Sequence, residues 1–173
     1  MAPEKLAAIM RYKDGPDGWA ARGNAVHKAL ETHLAGEGII FENRWAPWID
    51  PLLDCELFQG AEVIATEYRL CDASKSLGGS FDFLLRAASG EIVLGDLKTV
   101  KTKAAGKRRE PAAKQLGAYV AMLNDHHPEL PIDQCVTVVA APNECNVLKQ
   151  DPDECLGQWV DAWDCFEMTL EDW

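Results

Sequence analysis

The stretch GGSFDFLLRAASGEIVLGDLKTV, which ends at Val100, constrains this chain more than any other. Two runs of aromatic and aliphatic residues flank Ala88-Ser89-Gly90-Glu91, a pattern that forms two strands around a short turn. In the first run Ser80, Asp82 and Leu84 alternate with Phe81, Phe83 and Leu85, and in the second Leu94, Asp96 and Lys98 alternate with Val93, Gly95 and Leu97. Successive strand side chains point to opposite faces, so Asp82, Asp96 and Lys98 are expected on one face of the hairpin. Hard divalent cations take oxygen ligands, and Mg²⁺ is usually held by one or two carboxylates plus substrate phosphates. The stretch therefore reads as the centre of a metal-dependent phosphodiesterase site. Taken alone, the same three residues also describe an ordinary cross-strand ion pair.

Around this hairpin the chain predicts alternating helices and strands. Residues 1–18 turn at Asp14-Gly15-Pro16-Asp17-Gly18, with a short helix possible before the turn. Val26, Leu30 and Leu34 recur at helical spacing from about Trp19 to Leu34, which sets His27 and Glu31 on one side of that helix. Residues 39–50 read as extended or irregular, and Trp48 to Phe58 as a short helix. Glu62 to Cys71 alternates as a strand, with Val63, Ala65, Glu67 and Arg69 on one face. After Thr99 a run with few apolar anchors is expected to be a mobile loop. A helix over 111–124 follows, opened by Pro111 and striped by Leu116, Tyr119, Val120 and Leu123. QCVTVVAA reads as a buried strand, Cys145–Lys149 as a return strand, and the acids at 151–154 as the start of a last helix. Leu156, Trp159, Val160, Trp163 and Phe166 give that helix a broad apolar face. Trp159, Trp163 and Trp173 read as core or interface residues. Three consecutive strands between helices argue for an α/β fold with a mixed central sheet flanked by helices. No glycine-rich phosphate loop is present.

Charge bears on the partner. A net charge of −11 argues against nucleic acid, yet residues 98–114 carry Lys98, Lys101, Lys103, Lys107, Arg108, Arg109 and Lys114 against Glu110 alone. Residues 150–173 carry eight acids and no Lys or Arg. The average thus hides a basic patch directly after the carboxylate-bearing hairpin and an acidic tail. The six cysteines form no Cys-x-x-Cys pair, and the last four are ten residues apart, a spacing that fits no zinc or iron–sulfur site; they read as reduced, small hydrophobes. No apolar run is long enough to span a bilayer, and the first residues do not read as a secretory signal. The expectation is one domain over 1–173, its core at about 20–141 and a helical extension at about 150–173, cytoplasmic in a bacterial or phage-infected cell and with no membrane partner.

Five motifs occur in a fixed order: Gly23-x-x-x-His27 on a helix, Glu67 on a strand, Gly79-x-x-Asp82, Gly95-Asp96-Leu97-Lys98-Thr99, and Gln115-Leu116-x-x-Tyr119. This set resembles the RecB-type exonuclease branch of the PD-(D/E)XK nuclease superfamily, which includes recombination and phage exonucleases. The resemblance covers residues 20–124, with the strand at 134–141 completing the core. It implies a restriction-endonuclease-like fold and a Mg²⁺- or Mn²⁺-dependent deoxyribonuclease using one or two ions, in DNA recombination, repair or phage DNA processing. It further implies that Asp82, Asp96, the Leu97 carbonyl, His27 and Glu67 hold metal, that Lys98 acts with Asp96, Asp82 and Glu67 in catalysis, and that Gln115 and Tyr119 support the site and contact DNA. Lys101, Lys103, Lys107, Arg108 and Arg109 would guide a DNA strand that is single-stranded or has a free end. No iron–sulfur cluster is expected, because the Cys-x-x-Cys pair of some relatives is missing. A structure-specific or nicking endonuclease, or a non-catalytic DNA- or protein-binding module of a recombination or defence complex, is the alternative. A homo-oligomer or a recombination-protein partner is also compatible with the chain.

Overall fold

Helical periodicity and strand alternation translate into six α-helices and five β-strands in a computed structural model that describes residues 3–171. The helices are α1 (Pro3–Lys13), α2 (Trp19–Leu34), α3 (Ala46–Leu53), α4 (Lys103–Lys107), α5 (Ala113–His126) and α6 (Pro152–Glu171). The strands are β1 (Glu62–Asp72), β2 (Leu77–Arg86), β3 (Ile92–Thr99), β4 (Gln134–Ala141) and β5 (Glu144–Gln150). They form one sheet in the order β1-β2-β3-β4-β5. β1, β2 and β3 are an antiparallel meander. Asp133 N–H donates to Ile92 O at one end, and Val100 N–H to Ala140 O at the other. The partners advance together, so β4 runs parallel to β3 and the sheet is mixed. Among the described residues no helix is long and apolar enough to cross a membrane.

Contacts within the chain gather into two units, each discontinuous in sequence. Unit 1 comprises residues 1–56, 97–109 and 139–146; unit 2 comprises 57–96, 110–138 and 147–173. In unit 2 the core joins Leu70, Phe81, Leu84 and Leu94 of the strands to Leu116, Tyr119, Val120 and Leu123 of α5. The thiols of Cys135 and Cys155, both fully buried, meet in this core; the hydrogen bond to Cys155 and then burial hold Cys135 protonated far above the ordinary thiol range. Gly117 lets α5 and α6 approach closely, since a Cβ there would overlap the Cys155 carbonyl. In unit 1, Trp48 Nε1–H donates to Val100 O at 2.7 Å, and Asn143 N–H donates to Pro47 O at 2.6 Å.

Several expectations need correction. α3 begins at Ala46 and ends at Leu53, before the 3-10 turn Glu56–Phe58, so the segment expected to be irregular is largely helical. The supposed loop after Thr99 contains α4, capped by Thr102 Oγ1, which accepts from Ala105 N–H at 3.1 Å. α5 starts two residues after Pro111, because Ala112 N–H donates to Thr137 Oγ1 at 2.8 Å instead of opening a helix. Strict alternation fails in β1 and β2. β1 bulges between Val63 and Ala65, and Glu67 adopts φ +48°. Phe81 and Leu84 share the α5-side core, whereas Phe83 lies edge-on to Phe58 at 5.3 Å, so Phe81 and Phe83 do not act as one face. The apolar face of α6 is only half used: Trp159 packs on the core, but Val160 and Phe166 are exposed. Trp173 lies outside the described residues.

Candidate active site

Unit 2 assembles the carboxylates. Thr66 pairs with Phe83 and Tyr68 with Phe81, which sets Glu67 opposite Asp82. Phe83 pairs with Gly95, the chain neighbours of Asp82 and Asp96. Glu67, Asp82 and Asp96 thus lie on three neighbouring strands, and Asp96 is only 3% exposed. Ser80 Oγ donates to Glu67 Oε2 at 3.4 Å, within the strained segment around the Glu67 φ of +48°.

Tyr119 closes the group. Its hydroxyl donates to Ser80 O at 2.7 Å and accepts from Gln115 Nε2 at 3.1 Å. Its phenol is pushed up first by burial and then by the negative charges of Asp96 and Asp82, so both carboxylates act on the same buried oxygen. Gly79 is required here, because a Cβ would stand 2.8 Å from the Tyr119 ring. Gly95 is required for the same kind of reason: a Cβ would fall inside the Phe83 ring. Glu67, Asp82, Asp96, Gln115 and Tyr119 are therefore brought together. Among the described residues no three His, Cys, Asp or Glu side chains converge tightly enough to enclose an ion by themselves.

The other expected residues belong to unit 1. Past Asp96, β3 continues through the buried Leu97 to Lys98, which is half-buried, and the strand ends at Thr99. α2 passes close to that end: a Cβ at Gly23 would meet Thr99 Oγ1 at 3.9 Å. One turn on, His27 Nδ1–H donates to Gly23 O at 2.8 Å, which leaves the lone pair of the neutral ring on Nε2. That is the tautomer a metal-ligating histidine adopts. Lys101, Lys103, Lys107, Arg108 and Arg109 are all exposed, and Lys101 Nζ sits 5.2 Å above the Tyr12 ring.

Sequence reasoning passed over two residues. Ser80 links Glu67 to Tyr119, through its hydroxyl and its carbonyl respectively; nothing in a serine on a strand announces that. Arg22, on α2, is 6% exposed, its guanidinium lies 5.5 Å from the Trp48 ring centroid, and its Nε is buried with no hydrogen-bond partner. Burial lowers its pKa from the ordinary value. The apolar stripe of α2 gave no hint of a buried charge, though an arginine on the turn before a stripe residue such as Val26 could have prompted the question.

No family model matches the chain, and no curated protein matches it. Among solved structures it is similar to the crystal structure of SSO0001, with 17% sequence identity and a TM-score of 0.46, over 91% of this chain and 64% of that one. The chain thus spans about 64% of the length of that protein.

Proposed function

We propose that this chain is a metal-dependent DNA nuclease with a PD-(D/E)XK-type core, acting as an exonuclease. The observation that carries the reading is that Asp96, buried, and Asp82, on the adjacent strand, both act on Tyr119, with Glu67 joined to the same group through Ser80. These carboxylates are hard oxygen donors, the ligand type that divalent cations take. Two carboxylates with substrate phosphate satisfy Mg²⁺ without a complete protein cage, so the residues present fit the ion. Asp82 and Asp96 would hold it, with the Leu97 carbonyl, Glu67 and His27 as further donors. A bound divalent cation neutralises charge that develops on the phosphate and on the attacking and leaving oxygens.

The chain's own residues do the remaining work. Lys98 follows Asp96 by two residues on β3, the spacing that shares a strand side, and it orients the attacking water or holds a phosphate oxygen. Gln115 and Tyr119 lock the β2 backbone beside Asp82 through Ser80. The exposed cations of 101–109 draw the DNA backbone towards the protein. Hydrolysis would leave 5′-phosphate ends.

The test is degradation of end-labelled linear DNA and of closed circular DNA, with Mg²⁺, Mn²⁺ and chelator in parallel. Linear DNA should be degraded with either metal, circular DNA spared, and chelator should stop the reaction. Asp96→Ala and Lys98→Ala should each abolish cleavage while melting stays cooperative. Undiminished cleavage by both variants refutes the reading, and cutting of the circle moves it to an endonuclease.

A further inference from the structure

α6 holds 20 residues and α5 only 14, which at 1.5 Å per residue is about 30 Å against about 21 Å. Along α6 the residues Leu156, Trp159, Trp163, Phe166 and Leu170 are spaced three, four, three and four apart, the a/d seam of a heptad pattern. At its beginning this side of the helix is used: Cys155 is fully buried and Trp159 packs on the unit 2 core. Beyond Trp163 the seam is uncovered, with Phe166 49% and Leu170 56% exposed. The ring chain continues without a break, Trp159 to Trp163 at 5.5 Å and Trp163 to Phe166 at 5.4 Å between centroids.

Charge identifies the occupant. α6 carries Asp153, Glu154, Asp161, Asp164, Glu167 and Glu171 and no Lys or Arg. The cation that does reach the seam is drawn by both its ring and its acids: Lys75 Nζ lies 5.9 Å from the Trp163 ring centroid, and its proton is held by Asp72 first and then by Asp125 and Glu167. A second copy laid α6 against α6 would oppose acids to acids with no base between them. An extended peptide would not match the three–four spacing.

We infer that the C-terminal half of α6, centred on Trp163, Phe166 and Leu170, is a docking surface for a basic amphipathic helix of a partner protein. The partner's apolar stripe covers Phe166 and Leu170, and its Lys and Arg residues meet Asp164 and Glu167. The inference does not depend on the nuclease reading.

Three labelled peptides test it by fluorescence anisotropy against the full chain: one with Leu at heptad a and d positions and Lys at the flanking positions, a permuted peptide of the same composition, and the first with Glu for Lys. The heptad Lys peptide should bind, the permuted peptide about tenfold more weakly or worse, and the Glu peptide not at all. Phe166→Ala/Leu170→Ala changes only exposed positions, should leave the circular dichroism spectrum unchanged, and should weaken binding about tenfold. Asp164→Lys/Glu167→Lys should weaken it while leaving the apolar seam intact. Equal binding of the permuted peptide would reduce the surface to unspecific charge and overturn the inference. So would equal binding by Phe166→Ala/Leu170→Ala, or a wild-type dimer in sedimentation that the same variant disperses.

Discussion

The two units differ most in charge. Unit 1 holds 12 Lys and Arg residues and 10 Asp and Glu; unit 2 holds 5 and 18. Among the described residues each buries one charged residue, Arg22 in unit 1 and Asp96 in unit 2. The two buried charges are handled differently. Arg22 lies over an indole and its Nε lacks a hydrogen-bond partner. Asp96 lies beside a phenol, with Asp82 acting on the same group. A buried charge costs stability unless something compensates it. A flat aromatic face offsets part of that cost for a guanidinium. On the proposed function Asp96 is kept for metal binding, whereas Arg22 packs against Trp48.

The largest expected effect tests that assignment directly. Asp96→Ala should lower Mg²⁺-dependent DNA hydrolysis by about 10³-fold or more, the equivalent of about 4 kcal/mol of transition-state stabilisation. Its melting should stay cooperative, as expected where the change removes chemistry and not the fold. Arg22→Met keeps the stem and removes the charge; it should leave stability within about 1 kcal/mol of wild type or above it. Loss of hydrolysis in Asp96→Ala, with hydrolysis kept and melting little changed in Arg22→Met, would sharpen the contrast. Loss of hydrolysis in Arg22→Met would break it.

Next in size is the close packing beside Asp96. Gly95→Ala drives a methyl into the Phe83 ring, which is fully buried, and overpacking of this kind costs about 1–3 kcal/mol. Chemical denaturation should show that loss, and Phe83→Leu in the same chain should recover part of it. Strict additivity of the two changes would mean that glycine is there for another reason.

These residues mark what the sequence could and could not convey. The two strands that carry Asp82, Asp96 and Lys98 were legible because strand alternation and a four-residue turn lie within about 20 residues. α2, β4 and α6 were legible for the same local reason. Glu67 was placed on a strand, but its φ of +48° and its bond from Ser80 depart from regular strand geometry, which no periodicity announces. Gly79 and Gly95 looked like permissive backbone. Their actual constraint is the side chain opposite, Tyr119 or Phe83, and that depends on how strands and α5 pack. α4 was read as a mobile loop because five residues are too few for a hydrophobic period, although Thr102 was a visible cap.

Tyr119 gives a smaller, pH-dependent effect. Its phenol titrates above 10.0 in the folded chain, through burial and then through Asp96 and Asp82. The folded state therefore binds this proton more tightly than the unfolded state does. The associated stability is complete below about pH 10 and is lost as pH rises through the folded value. Ultraviolet titration, compared with Tyr119→Phe, should show Tyr119 ionising above the ordinary tyrosine range, and Asp96→Asn should bring its midpoint down. An unmoved midpoint would remove Asp96 from the surroundings of Tyr119 and dissolve the site. Tyr119→Phe, which leaves Ser80 O without its donor, should cost about 1–2 kcal/mol.

The smallest effect lies in the basic segment of unit 1, where position in the fold distinguishes residues that look alike in sequence. Lys103 and Lys107 are four apart on α4 and share a side of it, and both are exposed. Lys101 is also exposed, but its ammonium already stands over the Tyr12 ring. If DNA follows this segment, each phosphate contact contributes about 0.7–0.9 to the slope of log affinity against log salt. Lys103→Ala should lower that slope by nearly one contact and weaken binding a few-fold at moderate salt. Lys101→Ala should lower it less, because part of that charge is spent on the ring. Tyr12→Ala should then make Lys101→Ala behave like Lys103→Ala. Equal slopes for all variants would mean that the basic segment faces no phosphate, and the acidic average of the whole chain would be the better guide to its partner.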